Sequence, residues 1–363
     1  MRFLIYALVF FALTGCVATS VPPPAAEPQP EIEGEKIEER VEGKIEEKIE
    51  EKIEGRVEEE RKEGVENFIG EMVKRHGFVQ AELENILGQA QYQEGIIKAI
   101  SQPATARPWY AYRPVFVTPK RIAAGVAFWN TNTADLERAR RNFGIPEEII
   151  AAVIGVETFY GTQNGKHRIL DSLTTLAFNY PRRAAFFRGE LEQYLLMGRN
   201  QQADLLNIRG SYAGAIGIPQ FMPSSYRRYA VDFNNDGKID LSGSAADAIG
   251  SVANYLKSHG WEAGQLIAVP AMVNGENYRE VLYSGHPPRH TVTEIGQWGV
   301  APRWHAPGSR LATLVEFEMK NGKEFWLAFN NFHVITRYNR SVNYAMSVLQ
   351  LAEEIRAARA SSL

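Results

Sequence analysis

The stretch Ala151-Ala-Val-Ile-Gly-Val-Glu157-Thr-Phe-Tyr-Gly161 puts one carboxylate at the end of an otherwise apolar helical run. Pro146, with Glu147 and Glu148 behind it, reads as a helix start. Proline has no N–H to lose at the first helical position, and acids there face the positive end of the dipole. Ile149, Ile150, Val153, Ile154 and Val156 leave no polar face for water, so the helix is expected inside a core. Glu157 then falls near its C-terminus, where desolvation and the negative dipole end both oppose ionisation. A carboxyl that keeps its proton near neutral pH is suited to general-acid chemistry. The plainer reading is a buried glutamate neutralised by an arginine.

The 363 residues suffice for one large domain or two modest ones. Composition is that of a globular protein, 45% hydrophobic and 23% charged, and a net charge of −3 gives no reason to expect nucleic acid. Of the seven histidines only His286 and His290 stand in a His-x-x-x-His spacing, and the Pro-Pro between them bars the helical face that a zinc-binding pair needs; no Cys-x-x-Cys pair accompanies them, which argues against catalytic zinc. Residues 1–15 read as a secretory signal: Arg2, an apolar run from Phe3 to Leu13 too short for a comfortable span, then Leu13-Thr14-Gly15-Cys16. That ending resembles the bacterial lipoprotein processing box. The resemblance implies a lipidated Cys16 as mature N-terminus and, with Val17 next, an outer-membrane lipoprotein facing the periplasm. The alternative is a plain signal peptide with an incidental cysteine. No later segment has the length and apolarity to span a bilayer.

Residues 16–64 read as a tether and spacer. The proline-rich segment 17–30 is expected to be extended. In 31–66, Ile37, Val41, Ile45, Ile49, Ile53 and Val57 recur every fourth position among Glu, Lys and Arg. Steps of four overshoot a helical turn by about 40°, so the stripe winds around the helix and makes no coiled-coil seam. A semi-rigid helical spacer is expected, weakened by Gly34, Gly43, Gly55 and Gly64, with weak self-association as the rival.

A globular domain is expected over 65–358. Thr118-Pro119, Thr133 and Pro146 open helices; Arg183–Met197 before Gly198, Ser244–His259 before Gly260 and Ser341–Arg356 are further candidates. Leu314–Met319 and Glu324–Phe329 flank Asn321-Gly322, a hairpin signal. The fold class is therefore mainly α (α+β), with a small antiparallel β subdomain at about 265–335.

Several segments suit a sugar polymer. Arg107-Pro-Trp-Tyr-Ala-Tyr-Arg113 and Asn179-Tyr-Pro-Arg-Arg183 set aromatic and cationic side chains in proline-bounded loops. The run from Gly210 to Ser224 is rich in small residues, which lets backbone approach a ligand closely. Asn330 to Arg340 is another polar-aromatic run. Singly, each would be a structured loop. Together, Gly155-Val-Glu-Thr-Phe-Tyr-Gly161, Ser211-Tyr-Ala-Gly-Ala-Ile-Gly, Pro219-Gln-Phe-Met-Pro-Ser-Ser and Ile335-Thr-Arg-Tyr-Asn339 follow the order and spacing of a known family. Over roughly residues 65–355 the chain resembles the membrane-bound lytic murein transglycosylases of the B type; the charged helix before it is outside that pattern.

The resemblance implies a lysozyme-like helical catalytic core with a groove for peptidoglycan glycan strands. It implies Glu157 as sole catalytic acid/base, Ser211 and Gln220 as contacts of the muramoyl sugar, and Tyr112, Arg182, Arg183, Tyr338, Asn339 and Tyr344 as groove-lining residues. Phe-Tyr-Gly after Glu-Thr departs from the family's usual sequence at the acid's apolar wall. The implied reaction cleaves the MurNAc-β-1,4-GlcNAc bond and closes a 1,6-anhydro ring, the substrate supplying the nucleophile that a second carboxylate would otherwise activate. The alternatives are a hydrolytic muramidase and a noncatalytic peptidoglycan-binding scaffold. Protein partners, such as cell-wall synthesis or divisome proteins, stay open.

Asp232-Phe-Asn234-Asn-Asp236-Gly237-Lys238-Ile-Asp240 fits the first nine positions of an EF-hand loop. Its ligands would be Asp232, Asn234, Asp236 and the Lys238 carbonyl. Gly243 stands where the bidentate Glu belongs, and Asp247 is the acid expected to close the loop, 232–247. Ser244-Ala-Ala-Asp247 also reads as a capping box. A structural calcium is expected here, with no cofactor for catalysis.

Overall fold

The oily run folds as the helix Glu147–Thr158, in which nearly every residue from Ile149 to Thr158 is buried. Pro146 is not its first helical residue but its extended cap, at φ −60° and ψ 143°. The fixed proline φ serves either position, and ψ decides between them. In this computed structural model the described residues are 55, 56, 58–101 and 107–362. The signal peptide, Cys16, the tether and most of the charged spacer lie outside them. The chain divides into Met1–Glu59 and Glu60–Leu363, and the architecture below is that of the second unit.

Four helices wrap the buried one: Pro119–Thr131, Thr133–Phe143, Ala245–Ser258 and Val342–Ala360. Three carry the expected Ser/Thr cap. Thr118, Ser244 and Ser341 accept from the backbone N–H groups of Arg121, Asp247 and Tyr344. A second helical layer pairs Ile169–Asn179 with Ala184–Gln201. The latter runs on through Gly198, where the sequence predicts its end. A Cβ at Gly198 would lie 2.5 Å from Leu205 Cδ2, so this glycine answers a packing demand and the helix stops at Gln202, φ 52°.

Three segments readable as loops are helical. Trp109–Phe116 is a short helix whose Trp109 and Tyr112, three apart, share a buried face. Pro181–Arg183 is one 3₁₀ turn, and the run after the hairpin is the helix Asn330–Tyr338.

The small sheet is antiparallel throughout, in the order His290–Thr291, Leu311–Glu318, Lys323–Ala328, Ala268–Val273, Val300–Pro302. Its hairpin pairs Glu318 with Lys323, and Gly322 takes a φ of 86° just beyond the Lys320-Asn321 corner. On Leu311–Glu318, Ala312 and Leu314 face a separate small core, while Val315 and Phe317 face the main one. This is the two-residue alternation of a sheet covered on both sides. Phe317 meets Trp109 at 5.0 Å between ring centres, joining sheet to helices.

After Thr158 the chain reverses through Phe159 and Tyr160, both left-handed at φ 50° and 59°. Bulky side chains rarely adopt that region, so surrounding contacts must hold them there. The Tyr160 ring folds back over Gly155 and Gly125, and its hydroxyl donates to the Arg121 carbonyl at 2.9 Å. A Cβ at Gly155 would lie 2.6 Å from Tyr160 Cζ. Gly155→Ala is therefore expected to lower stability by about 1–3 kcal/mol in urea unfolding. An unchanged midpoint would mean that the Tyr160 ring can move.

Candidate active site

Glu157 is the penultimate residue of its helix and is half-buried. Its Oε1 accepts a 2.6 Å hydrogen bond from the hydroxyl of Tyr344, near the start of Val342–Ala360. The partner is a phenol, not the arginine of the plainer reading. Burial pushes the Glu157 carboxyl up from 4.5 to about 7; the Tyr344 bond, which favours the ionised form, pulls it partway down.

The wall around it is phenolic. Tyr344 stacks on Tyr338 with ring centres 6.3 Å apart and planes 12° from parallel, and Tyr338 meets Tyr255 edge-on at 4.8 Å. Tyr112 is pushed up to about 12, first by burial and then by the Glu157 charge. Tyr338 and Tyr344 are raised further for the same two reasons. These phenols stay neutral hydrogen-bonding groups at any physiological pH.

Thr158 ties the acid helix to the small-residue segment. Its hydroxyl donates to the Ile218 carbonyl at 2.8 Å and accepts from Gly161 N–H at 3.0 Å. The Tyr338 hydroxyl donates to the Pro219 carbonyl at 2.5 Å, beside Gln220. Gln220, at φ 51°, donates its amide to Gly217 and Asn164 carbonyls at 2.8 and 3.2 Å. Small size is required here: a Cβ at Gly217 would lie 2.4 Å from the Leu241 carbonyl oxygen. Ser211 Oγ accepts from Ala215 and Ala213 N–H at 3.0 and 3.3 Å. Among the described residues it bonds only as an acceptor, which leaves its O–H to donate outward.

Of the residues expected from sequence, Glu157, Tyr344, Tyr338 and Tyr112 form one cluster, with Gln220 alongside through Pro219. Arg182, Arg183 and Asn339 are exposed, and no hydrogen bond joins them to it among the described residues. Sequence reasoning missed Thr158, Tyr160 and Tyr255. It also missed Glu190, which is 5% exposed and accepts from Ser224 N–H and hydroxyl at 2.9 and 2.7 Å. An acid on an amphipathic helix gives no sign of being turned inward.

The acidic loop is laced by its own backbone. Asp232 accepts from Asp236 and Gly237 N–H, Asn234 from Asp236 N–H, and Asp236 from Lys238 N–H. Asp247 is fully buried, and its carboxylate accepts from Phe233, Asn234 and Asp240 N–H at 2.8, 3.3 and 2.9 Å. It therefore braces the loop, and the capping box keeps only its Ser244 arm. Among the described residues no three His, Cys, Asp or Glu side chains gather as a metal-binding group. The donor set at Asp232, Asn234, Asp236 and the Lys238 carbonyl is still hard oxygen at alternate positions around Gly237, φ 88°, which suits calcium.

Comparison with known proteins adds to this geometry. A family model described as "Transglycosylase SLT domain" matches residues 60–353. Membrane-bound lytic murein transglycosylase B of Escherichia coli (strain K12) is 44% identical over 304 residues, covering 81% of this chain and 83% of that protein. The crystal structure of soluble lytic transglycosylase SltB1 from Pseudomonas aeruginosa is 45% identical with a TM-score of 0.77, covering 82% of this chain and 99% of that one. The Escherichia coli lytic transglycosylase Slt35, solved in complex with calcium, is 44% identical with a TM-score of 0.74, covering 82% and 94%.

The raised Glu157 pKa has a signed consequence for stability. The folded state keeps a proton that the unfolded chain releases above its ordinary value of 4.5, so stability falls as pH rises from there through about 7. Glu157→Gln removes that cost. Its melting temperature is expected to exceed wild type by roughly 2–6 °C near pH 8 and to converge near pH 5. Equal melting curves at both pH values would contradict the burial argument.

Proposed function

This chain belongs to the lytic transglycosylase family, and on that premise we propose that it cleaves the MurNAc-β-1,4-GlcNAc bond of peptidoglycan with Glu157 as single acid and base. The observation that carries the reading is a half-buried carboxyl raised to about 7 with a phenol as its hydrogen-bond partner. Such a group holds a proton near neutrality and can give it to the leaving glycosidic oxygen.

The balance of the step is closed within the substrate. As the bond from C1 to the leaving oxygen breaks, the muramoyl 2-acetamido carbonyl stabilises the oxocarbenium-like centre, oriented by the Ser211 hydroxyl. Glu157, now a carboxylate favoured by the Tyr344 bond, takes the proton of the sugar's C6 hydroxyl. O6 then bonds to C1, giving the 1,6-anhydro ring and consuming no water. Tyr112, Arg182, Arg183, Gln220, Tyr338, Asn339 and Tyr344 are assigned to gripping the glycan. The hydrolytic alternative usually pairs two carboxylates across the bond. The motif segments around Glu157, residues 155–161, 211–217, 219–225 and 335–339, hold no second acid, which favours the single-acid reading.

Glu157→Gln is expected to keep glycan binding and to lose about 10²–10⁴-fold in anhydromuropeptide release, read by mass spectrometry of digested sacculi. An active variant rejects the assignment, and wild-type products with reducing ends would favour the muramidase.

The reading extends to placement and metal. Cys16 is assigned as a lipid attachment site at the outer membrane, facing the periplasm, in keeping with the "membrane-bound" name of the Escherichia coli relative. Among the described residues no helix is long and apolar enough to cross a membrane, so attachment would rest on the segment outside them. Calcium would be held by Asp232, Asn234, Asp236 and the Lys238 carbonyl, with Asp247 bracing the loop from beneath. Bound there it would crosslink the loop and take no part in bond cleavage. Calcium is expected to raise the melting temperature of wild type and to leave Asp232→Ala unmoved; an unmoved wild type removes the metal.

A further inference from the structure

A cavity of about 440 Å³ opens where three segments meet. Gln91 and Gln93, ahead of the helix Glu94–Ser101, line the first wall. Lys166 and His167, at the start of the short strand His167–Arg168, line the second; Asn207 and Arg209, leading into the paired strand Arg209–Gly210, line the third. Gly165, at φ 90°, lets this ribbon close, since a Cβ there would lie 2.1 Å from the Gly210 carbonyl oxygen. Arg209 Nη1 donates to the Lys166 carbonyl at 2.9 Å and so holds the two cationic positions together. The backbone N–H groups of Gln91 and Gln93 bond Asp171 and Thr175, and their side-chain amides make no hydrogen bond among the described residues.

The charge of this hollow is unbalanced. Asp171 is the one acid lining it, and its carboxylate is spent on Arg168, whose Nε and Nη2 reach it at 2.9 and 2.5 Å. Its Oδ1 also accepts from Gln91 N–H at 2.8 Å. Asp204, the acid nearest to Arg209 along the chain, accepts from Leu206 N–H and the Asn207 amide at 3.0 and 2.7 Å. Among the described residues Lys166 and Arg209 enter no ion pair with a carboxylate. Burial, and then the Lys166 charge, hold the His167 imidazole below its ordinary value, so it meets a ligand as a neutral N–H donor.

We propose that this cavity binds a phosphate group, with Lys166 and Arg209 as its charged partners. Two uncancelled cations match the charge of about −1.5 to −2 that a phosphate monoester carries near neutrality. Donors on three separate walls suit a tetrahedral anion, whose oxygens point in different directions; a planar carboxylate is gripped from one side. Lys166 supplies a point charge and Arg209 a planar fork, the two ways in which proteins hold phosphate. The site uses none of the residues around Glu157, so it stands apart from the cleavage reading. Both cations are exposed, and binding is expected to weaken as salt rises.

Calorimetry on the full chain tests this with three soluble probes: inorganic phosphate, acetate, and glycerophosphoglycerol, the tail-free diester of a lipid headgroup. Wild type is expected to bind at least one phosphate probe about tenfold more tightly than acetate. Binding of the diester assigns the site to a lipid headgroup; binding of inorganic phosphate alone assigns it to free phosphate or a monoester. Lys166→Gln is the decisive variant, because the Lys166 side chain makes no hydrogen bond among the described residues and its loss leaves the fold intact. It is expected to weaken phosphate binding about tenfold, the effect of losing one charge-assisted hydrogen bond, while Lys166→Arg keeps most of the affinity. No binding of either phosphate probe, acetate bound as tightly, or an unchanged affinity in Lys166→Gln overturns the proposal. None of these outcomes depends on glycan cleavage, so a failure of the enzymatic reading leaves them as they are.

Discussion

A half-buried carboxyl offered, among the described residues, only a phenol for a partner is the constraint around which this protein is arranged. Burying an ionised carboxylate without a cation is costly, and here the group meets that cost by holding its proton, at about 7 instead of 4.5. Everything near Glu157 preserves the condition. The helix beneath it is buried along nearly its whole length, so the carboxyl cannot swing to solvent by fraying. Tyr344 comes from the C-terminal helix, far along the chain, and Tyr338 from the helix after the hairpin. The acid's environment therefore exists only when the fold is complete.

The same dependence joins scaffold to site. The Thr158 hydroxyl connects the acid helix to the segment of Ser211 and Gln220. The left-handed pair Phe159 and Tyr160 reverses the chain immediately after the acid, with Tyr160 seated against two glycines whose side-chain space it occupies. Strain concentrated beside a reacting group, held by contacts on both sides, is what a preorganised site requires. The small sheet contributes from further away: Phe317 meets Trp109, on the helix that also carries Tyr112.

Much of this was legible from residues alone, and the reasons for the misses are physical. The oily helix, the Ser244 and Ser341 caps and the hairpin near Asn321-Gly322 follow from periodicity and local chemistry, which act within a few residues. Gly198 misled because glycine as a helix stop and glycine as a packing notch look alike until Leu205 is seen against it. Trp109–Phe116 looked like a loop because its prolines mask a short helix whose stability comes from burial. The position of Glu157 at a helix end was readable; the identity of its partner was not, since Tyr344 and an arginine are equally invisible to spacing arguments. Asp247 likewise could be named as an acid near the loop, but its three backbone partners depend on how the loop closes over it.

The most direct measurement is the titration of Glu157 itself, by carbon-detected nuclear magnetic resonance of protein labelled at glutamate side-chain carboxyls, with the signal assigned by its absence in Glu157→Gln. The account expects a midpoint near 7, well separated from the exposed glutamates. A midpoint at the ordinary 4.5 would show an acid open to water and ionised at neutral pH, and the proton-holding role would be contradicted.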